Sequence, residues 1–232
     1  MSPLRRTSLA VGALYLVTHV TSVVATVLYG PILTGGSAAT ARSSQAAALT
    51  GALLESALAV CVVGTAVGLY PVVKRWGPAS ALGHVGLRIL EAAVILVGVA
   101  SVIALAGMPE RSGTAAPAAA VLVGLHDATF WLGPNLVLTV STALLALLLL
   151  RSRLVPRWIP LLGLVGCVTL LGSAIAILYG LFPQVSPAGG LAAAPMFAWE
   201  LSLALYLLFV GMREPRGATP GTVDPSPAPA AA

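Results

Sequence analysis

Residues 47–73 read AALTGALLESALAVCVVGTAVGLYPVV, a run in which Glu55 is the one charged side chain. An α-helix rises about 1.5 Å per residue, so about 20 apolar residues cross the roughly 30 Å of hydrocarbon in a bilayer. This run is longer than that. It therefore predicts a transmembrane helix and places the whole chain in a membrane.

Five further runs of the same kind occur along the chain. Short connectors with Gly and Pro separate them and leave no room for a separate soluble domain. The sequence therefore predicts an all-α fold, a polytopic membrane bundle of six transmembrane helices. The predicted spans are 8–29, 47–73, 81–106, 117–150, 158–182 and 191–212. We expect the transmembrane domain to cover residues 1–212 and residues 213–232, rich in Pro and Ala, to form a disordered cytoplasmic tail.

The composition excludes several classes of protein. Hydrophobic residues make up 58% of the 232 residues and charged residues 8%, and the mean hydropathy is +0.99. A soluble domain carries roughly 25% charged residues. A soluble enzyme, a nucleic-acid binder and a secreted disulfide module are therefore disfavoured, and the net charge of +5 needs no nucleic acid to explain it. Cys61 and Cys167 both lie in apolar runs, which is typical of small core residues.

The positions of Lys and Arg predict how the chain is oriented, because short cytoplasmic loops collect positive charge. An arrangement with both termini in the cytoplasm puts nine basic residues inside and only Arg42 and Arg111 outside. We therefore expect a multi-pass protein of the cell inner (plasma) membrane with both termini in the cytoplasm. The first span follows Arg5 and Arg6 as a signal peptide would, but its length and the five later spans predict a retained helix. The nine are Arg5, Arg6, Lys74, Arg75, Arg151, Arg153, Arg157, Arg213 and Arg216.

Ionisable residues inside the spans are the main functional candidates, because they are costly in hydrocarbon. Most of them are predicted to lie in one layer, between the midplane and the outer third of the membrane. The predicted spans contain one arginine and four carboxyl groups, so the arginine cannot neutralise all of them. An unpaired buried carboxylate usually takes up a proton. A purely structural role remains open, with Arg88 and Glu91 as an ion pair. The layer comprises His19, Glu55, Glu91, His126, Asp127 and Glu200, and His84 and Arg88 lie closer to the cytoplasm.

Aromatic rings accompany two of the acids. Trp131 follows Asp127 by four residues and so shares its helix face, and Phe197 and Trp199 lie next to Glu200. Packing or an interfacial aromatic belt would explain the rings equally well. Pro134, after Gly133, cannot donate a backbone hydrogen bond, so we expect a kink or a locally hydrated backbone there.

Motifs for common cofactors are missing from the sequence. It has no Walker loop, dinucleotide fingerprint, GxSxG nucleophile motif or cysteine haem motif. The three histidines have no metal-binding spacing. The sequence therefore predicts no cofactor and no metal site. Gly64 and Gly68 form a GxxxG step that is typical of close helix packing.

Five segments carry a family resemblance: RRTSLAVGALYLVT, LLESALAVCVVGTAVGLYPVVKR with LGHVGLRILEAAVI, HDATFWLG, SRLVPRWIPLLGLVG and FAWELSLALYLLFVGM. Together they resemble the bacterial membrane family known as domain of unknown function 4386, over nearly the whole chain except the tail. The resemblance implies a six-helix integral membrane protein with acids at Glu55 and Glu200. It implies no activity, because the family has none assigned.

A more distant likeness of architecture suggests a chemistry. Small integral membrane terpene cyclases are of similar length, have about seven helices and use one early and one late intramembrane carboxyl as acids. The first hypothesis is therefore an enzyme of cyclase or isomerase type acting on a lipophilic substrate, such as an isoprenoid. Glu200 would donate a proton, Glu55 or Asp127 would orient the donor or receive the final proton, and the substrate would be bound by Trp131, Phe130, Phe197, Trp199, His126 and His19.

Two other hypotheses use the same sequence differently. Carboxyl groups that change protonation at mid-membrane also suit a proton-linked transporter, although the two halves of the chain show no repeat in their Gly, Pro or acid positions. A non-catalytic helper would bind another membrane protein through small-residue faces such as that of Gly64 and Gly68.

Overall fold

Seven α-helices make up almost all of the structure, a computed structural model that describes residues 1–34, 41–108 and 113–214. A π-helix, Trp131–Val137, joins α4 to α5 in one continuous span. Two three-residue 3-10 turns, Lys74–Trp76 and Gly113–Ala115, precede α3 and α4. The helices are α1 (Pro3–Leu33), α2 (Ala41–Val73), α3 (Pro78–Gly107), α4 (Ala116–Phe130), α5 (Leu138–Ser152), α6 (Trp158–Leu178) and α7 (Pro187–Phe209).

Six helical segments are long and apolar enough to cross a membrane. The described ranges contain no β-strand, so the prediction of an all-α bundle with six spans is confirmed. The orientation of its termini stays a prediction. The predicted disordered tail falls almost wholly on residues 215–232, which lie outside the described residues, as do 35–40 and 109–112.

The helix ends differ from the predicted spans because hydropathy does not register polar end turns. Helix α2 begins six residues before the predicted span, at Ala41, and α7 begins at Pro187 instead of residue 191. The start of α7 is fixed by Ser186, whose Oγ accepts a hydrogen bond from the Gly189 N–H at 3.1 Å. Ser at the cap followed by Pro is a strong helix start. Each acid therefore lies deeper along its helix than the predicted spans imply.

The six spans form a closed ring. Each span packs against its neighbours in sequence, and α1 also packs against α7. A Cβ atom on Gly12 would lie 2.9 Å from the Ala204 carbonyl oxygen, so the two backbones meet where only a hydrogen atom fits. The Arg5 guanidinium donates hydrogen bonds to the carbonyls of Leu207 at 3.0 Å and Leu208 at 2.7 Å. It thus satisfies carbonyls that the end of α7 leaves unpaired.

One half of the ring is filled by large apolar side chains. We call the end of the ring where α1 begins and α7 ends the basic end, and the opposite end the far end. The basic half and the far half are the halves of the ring next to these ends. Trp199 is 1% exposed and its indole packs on Gly163, where a Cβ atom would lie 2.7 Å from the ring. Tyr15 and Leu145 belong to the same cluster. Basic side chains surround this end: Arg5, Arg6, Lys74, Arg75, Arg151, Arg153, Arg157 and Arg213.

The far half of the ring is open inside. Helix α4 packs on α3, whereas α6 packs on α5, the π-helix and α7 without extensive contact to α4. The predicted interruption at Gly133 and Pro134 takes the form of the π-helix. Its first residue ties it to α6, because the Trp131 Nε1–H donates a 2.9 Å hydrogen bond to the Ala174 carbonyl. Between this hydrogen bond and the far end, α4 and α6 are not in extensive contact, and a cavity lies between them.

The GxxxG step of α2 packs inside the chain. A Cβ atom on Gly68 would lie 2.7 Å from Val11 Cγ2, and one on Gly64 would lie 3.0 Å from Leu14 Cδ1. Both contacts are with α1. The small-residue face proposed for a helper role is therefore already covered by α1.

The Gly12→Val substitution should destabilise the ring. The added side chain would push α1 away from Ala204, and overpacking of this kind costs about 1–3 kcal/mol. We expect a thermal midpoint several degrees lower in detergent micelles, measured by scanning fluorimetry. Gly172→Val on α6 is the matched control, because a Cβ atom there meets nothing within 4 Å. Equal midpoints for the two variants would contradict the tight α1–α7 contact.

Candidate functional site

A cavity of about 660 Å³ lies inside the far half of the ring. We call it the far cavity. Its walls come from the last third of α1, from α2, α4 and the end of α6, and from the connector before α7. Among the described residues that line it, none is Lys or Arg. The residues that matter chemically are Tyr29, Glu55, His126, Asp127, Phe130, Trp131 and Gln184.

Two pairs of side chains that can exchange protons line the far cavity. One pair is Glu55 and Tyr29, and the other is His126 and Asp127. Glu55 is 9% exposed, and no basic side chain in the described ranges lies within ion-pair distance of it. The buried Tyr29 hydroxyl lies beside the Glu55 carboxyl and makes no hydrogen bond. On α4, His126 Nδ1 lies 3.2 Å from Asp127 Oδ1. The histidine is 8% exposed and the aspartate side chain 65% exposed.

Aromatic rings surround the same space. The Tyr29 and His126 rings meet edge to face with centroids 5.5 Å apart, and His126 stacks on Phe130 at 6.2 Å. Trp131 closes the cavity where its indole is hydrogen-bonded to α6. The far cavity therefore combines a largely apolar wall with a few convergent polar groups, as ligand sites generally do.

A second cavity of about 100 Å³ lies deeper in the ring, and we call it the inner chamber. Arg88 Nη1 lies 3.0 Å from Glu91 Oε2 and 3.9 Å from Glu200 Oε1. The arginine is 2% exposed and its Nε has no hydrogen-bond partner. His19 also lines the chamber, with its Nδ1 2.8 Å from the Tyr15 carbonyl. The chamber therefore surrounds a buried ion cluster of one arginine and two carboxyl groups.

A third cavity of about 20 Å³, the neck, lies between the other two. Glu55, His126 and Phe130 line both the neck and the far cavity. Ser22, Leu58, Ile95 and Pro134 line both the neck and the inner chamber. The three cavities thus follow one another from the far end to the middle of the bundle.

The structure places the predicted layer of ionisable residues in two groups. Glu55, His126 and Asp127 lie at the far cavity, and His19, Glu91 and Glu200 line the inner chamber with Arg88. Helix rise gives depth but not the direction in which a side chain points, so the sequence did not separate them. Glu200 and Glu55 line different cavities.

The predicted aromatic residues are also divided. Phe130 and Trp131 line the far cavity. Phe197 lines the inner chamber and meets the His19 ring edge to face at 4.6 Å. Trp199 faces the apolar cluster of the basic half and lines none of these three cavities.

Two residues at the far cavity were not expected from the sequence. Tyr29 lies near the end of the first span, where a tyrosine is typical of the membrane interface, and Gln184 lies in a connector. The buried Tyr29 hydroxyl and the Gln184 amide nitrogen both lack a hydrogen-bond partner. No pattern in the sequence distinguishes an inward tyrosine from an interfacial one.

Metal binding finds no support in the described part of the chain, where no three His, Cys, Asp or Glu side chains are grouped to hold an ion. His84 is buried, and its Nδ1 lies 2.9 Å from Ser141 Oγ and 3.0 Å from the Ser141 carbonyl. It packs α3 against α5.

Comparison with known proteins identifies a family. A family model described as Domain of unknown function (DUF4386) matches residues 10–211, so the chain belongs to that family. No curated protein and no solved structure matches the chain.

The Arg88→Met substitution should destabilise the bundle. It leaves the buried Glu91 and the partly buried Glu200 near each other without a positive charge, and breaking a buried pair such as Arg88–Glu91 costs about 3–5 kcal/mol. We expect a large fall in the thermal midpoint and a partial recovery when Glu91→Leu is added to Arg88→Met. If the single variant melts like the native protein, the ion cluster contributes nothing to stability.

Proposed function

We propose that this member of the DUF4386 family is an intramembrane enzyme that isomerises or cyclises a lipophilic substrate by acid–base catalysis in the far cavity. One observation carries the proposal. An apolar cavity of about 660 Å³ brings an unpaired buried carboxyl, Glu55, together with an imidazole held by a carboxylate, His126. Small-molecule sites usually measure about 300–1,000 Å³.

Glu55 is the proposed proton donor. Burial without a basic partner favours the neutral acid over the carboxylate, and a neutral acid is what protonation of a substrate needs. The Tyr29 hydroxyl beside it can hold the carboxyl in place.

His126 is the proposed proton acceptor. An Nδ1–H that donates to Asp127 fixes the tautomer and leaves Nε2 as a base. The exposed Asp127 carboxylate then stabilises the imidazolium that forms. This is the arrangement in which a carboxylate orients a catalytic histidine.

The proposed reaction transfers two protons and needs no other reactant. The π electrons of a substrate double bond take the Glu55 proton and form a C–H bond, which leaves a carbocation on the neighbouring carbon. Loss of a proton from an adjacent carbon to His126 forms a new double bond, with or without prior ring closure. Product and substrate therefore have the same mass.

The rings of the far cavity suit the charge that develops. An aromatic face attracts a cation through its quadrupole, and the described residues of the cavity lining include no Lys or Arg that would repel one. Tyr29, Phe130 and Trp131 therefore favour a cationic intermediate over the neutral substrate.

This assignment gives the acid role to Glu55 in place of Glu200. Glu200 Oε1 lies 3.9 Å from Arg88 Nη1, within the ion cluster and away from Glu55 and His126. Glu200 also lines the small inner chamber and not the far cavity.

Organic extracts of cells test the proposal. Cells that express the native chain should contain a product with the mass of a host lipid-soluble metabolite but a different retention time. Loss of a general acid lowers rates by about 10²–10⁴, so Glu55→Gln should remove the product at equal membrane abundance, as measured by chromatography and mass spectrometry. Glu214→Gln, outside α7, is the matched control.

The host for this experiment should supply the protein's natural metabolites. A product that persists in Glu55→Gln would exclude Glu55 as the acid. A product lost in Glu200→Gln but retained in Glu55→Gln would restore the assignment of Glu200 as donor.

A proton-linked transporter is the second candidate. The observation that favours it is the series of cavities from the far end to the middle of the bundle, each of which is bordered by ionisable side chains. The apolar cluster of the basic half closes that path, so transport would require this half to open. Flux of a lipophilic solute into proteoliposomes that follows an imposed pH gradient, and that Glu55→Gln abolishes, would favour transport over isomerisation.

A further inference from the structure

We infer that the inner chamber and the neck hold water that carries protons between the Glu91–Glu200 carboxyl pair and Glu55. The inference concerns a second site, between the helices, whose ligand is water. Only the role of this proton exchange in catalytic turnover rests on the proposed function, because the exchange itself needs no substrate.

The cavities have room for water. A buried water needs about 10–15 Å³ of space for its centre. The neck, at about 20 Å³, accommodates one molecule and the chamber, at about 100 Å³, accommodates several. Neither is wide enough for a lipophilic ligand.

The chamber also offers the polar partners that keep a buried water in place. The Arg88 Nε–H is fully buried without a hydrogen-bond partner, although unpaired buried donors are rare in proteins. A water that accepts from Nε and donates to a Glu200 oxygen would satisfy it. Ser22 lines both the chamber and the neck, so its hydroxyl can bind water on either side.

The charges around the chamber favour one shared proton. Helix α3 supplies Arg88 and Glu91, with His84 one turn before, and α7 supplies Glu200. Helix α1 supplies His19 and Tyr15, which lies near the Arg88 charge, while α2 and the π-helix supply only Leu58, Val62 and Pro134 to the lining. Two carboxyl groups beside one guanidinium are neutral overall when they hold one proton between them.

The proton donor and the proton acceptor of the proposed reaction both border the neck, where this water would lie. Glu55 and His126 line the neck as well as the far cavity. After Glu55 has given its proton to the substrate, the carboxyl pair can lend its proton to Glu55 through the neck water. His126 then returns the proton taken from the substrate to the carboxyl pair by the same path, so no net proton is consumed.

Infrared spectroscopy of the full chain in lipid nanodiscs, with ¹³C-labelled glutamate, measures the exchange directly. Protonated carboxyl groups give C=O bands that shift when the protein is moved into ²H₂O. Two bands are expected, one lost in Glu55→Gln and the other in Glu200→Gln. In the native protein both bands should shift.

Ser22→Leu tests the path. A leucine at this position should fill the neck and slow the ²H₂O-induced shift of the Glu200-dependent band at least tenfold. The Glu55-dependent band should shift at its native rate, because the Glu55 carboxyl also borders the far cavity. Ser22→Ala is the matched control, because it removes the hydroxyl but leaves the space, and it should slow the exchange far less than Ser22→Leu does. Gly98→Ala is a second blocking variant, since its Cβ atom would lie beside Thr129 in the neck lining, 2.6 Å from Thr129 Oγ1.

The outcomes separate this inference from the proposed enzyme. Native exchange rates in folded Ser22→Leu and Gly98→Ala, or no band that depends on Glu200, would overturn the water path even if the isomer product is found. Slowed exchange of the Glu200-dependent band in both variants would support the path even if no product is ever detected.

Discussion

Contact between α1 and α7 is the constraint on which the rest of the structure depends. Inside a bilayer the lipid tails are as apolar as the side chains, so helices associate through close packing and polar contacts and not through the hydrophobic effect. Gly12 provides that closeness against the Ala204 backbone. Arg5 adds hydrogen bonds to the end of α7, and the Met212 N–H donates to Ser8 Oγ at 3.0 Å. Without this closure the six spans would form an open row with no interior.

The closed ring is packed unequally along its length, and this inequality produces the cavities. Large side chains such as Trp199 and Tyr15 fill the basic half. In the far half, Trp131 and Pro134 of the π-helix border the cavities, and irregular backbone inside a membrane-spanning bundle is tolerated where it borders a cavity. Arg88 and its two carboxyl partners lie where the filled half meets the open half. Arg88 and Glu91 form an ion pair there, and pairing lowers the cost of charged side chains inside a membrane-spanning bundle.

Hydropathy was sufficient to predict the six spans, because each spans the hydrocarbon with few charges, and Pro134 was sufficient to locate the interruption of the fourth. Hydropathy could not predict which acids line the far cavity and which line the inner chamber. The sequence predicts similar depths for Glu55 and Glu200, but which cavity each one lines also depends on how its helix is rotated. Helices that are apolar on nearly every face, as these are, carry little periodic signal of that rotation. Trp131 and Trp199 show the same difficulty, since each lies beside an acid in sequence and only Trp131 borders the far cavity.

The packed basic half also determines how the interior can be supplied. Because large side chains fill that half, the described helices leave the far cavity open toward the far end of the ring and toward the gap between α4 and α6. Under the proposed function, a lipophilic substrate would therefore enter from the membrane surface at the far end or from the surrounding lipid. The two leaflets of a cell membrane differ in composition, so the supply of that substrate would depend on which leaflet borders the far end.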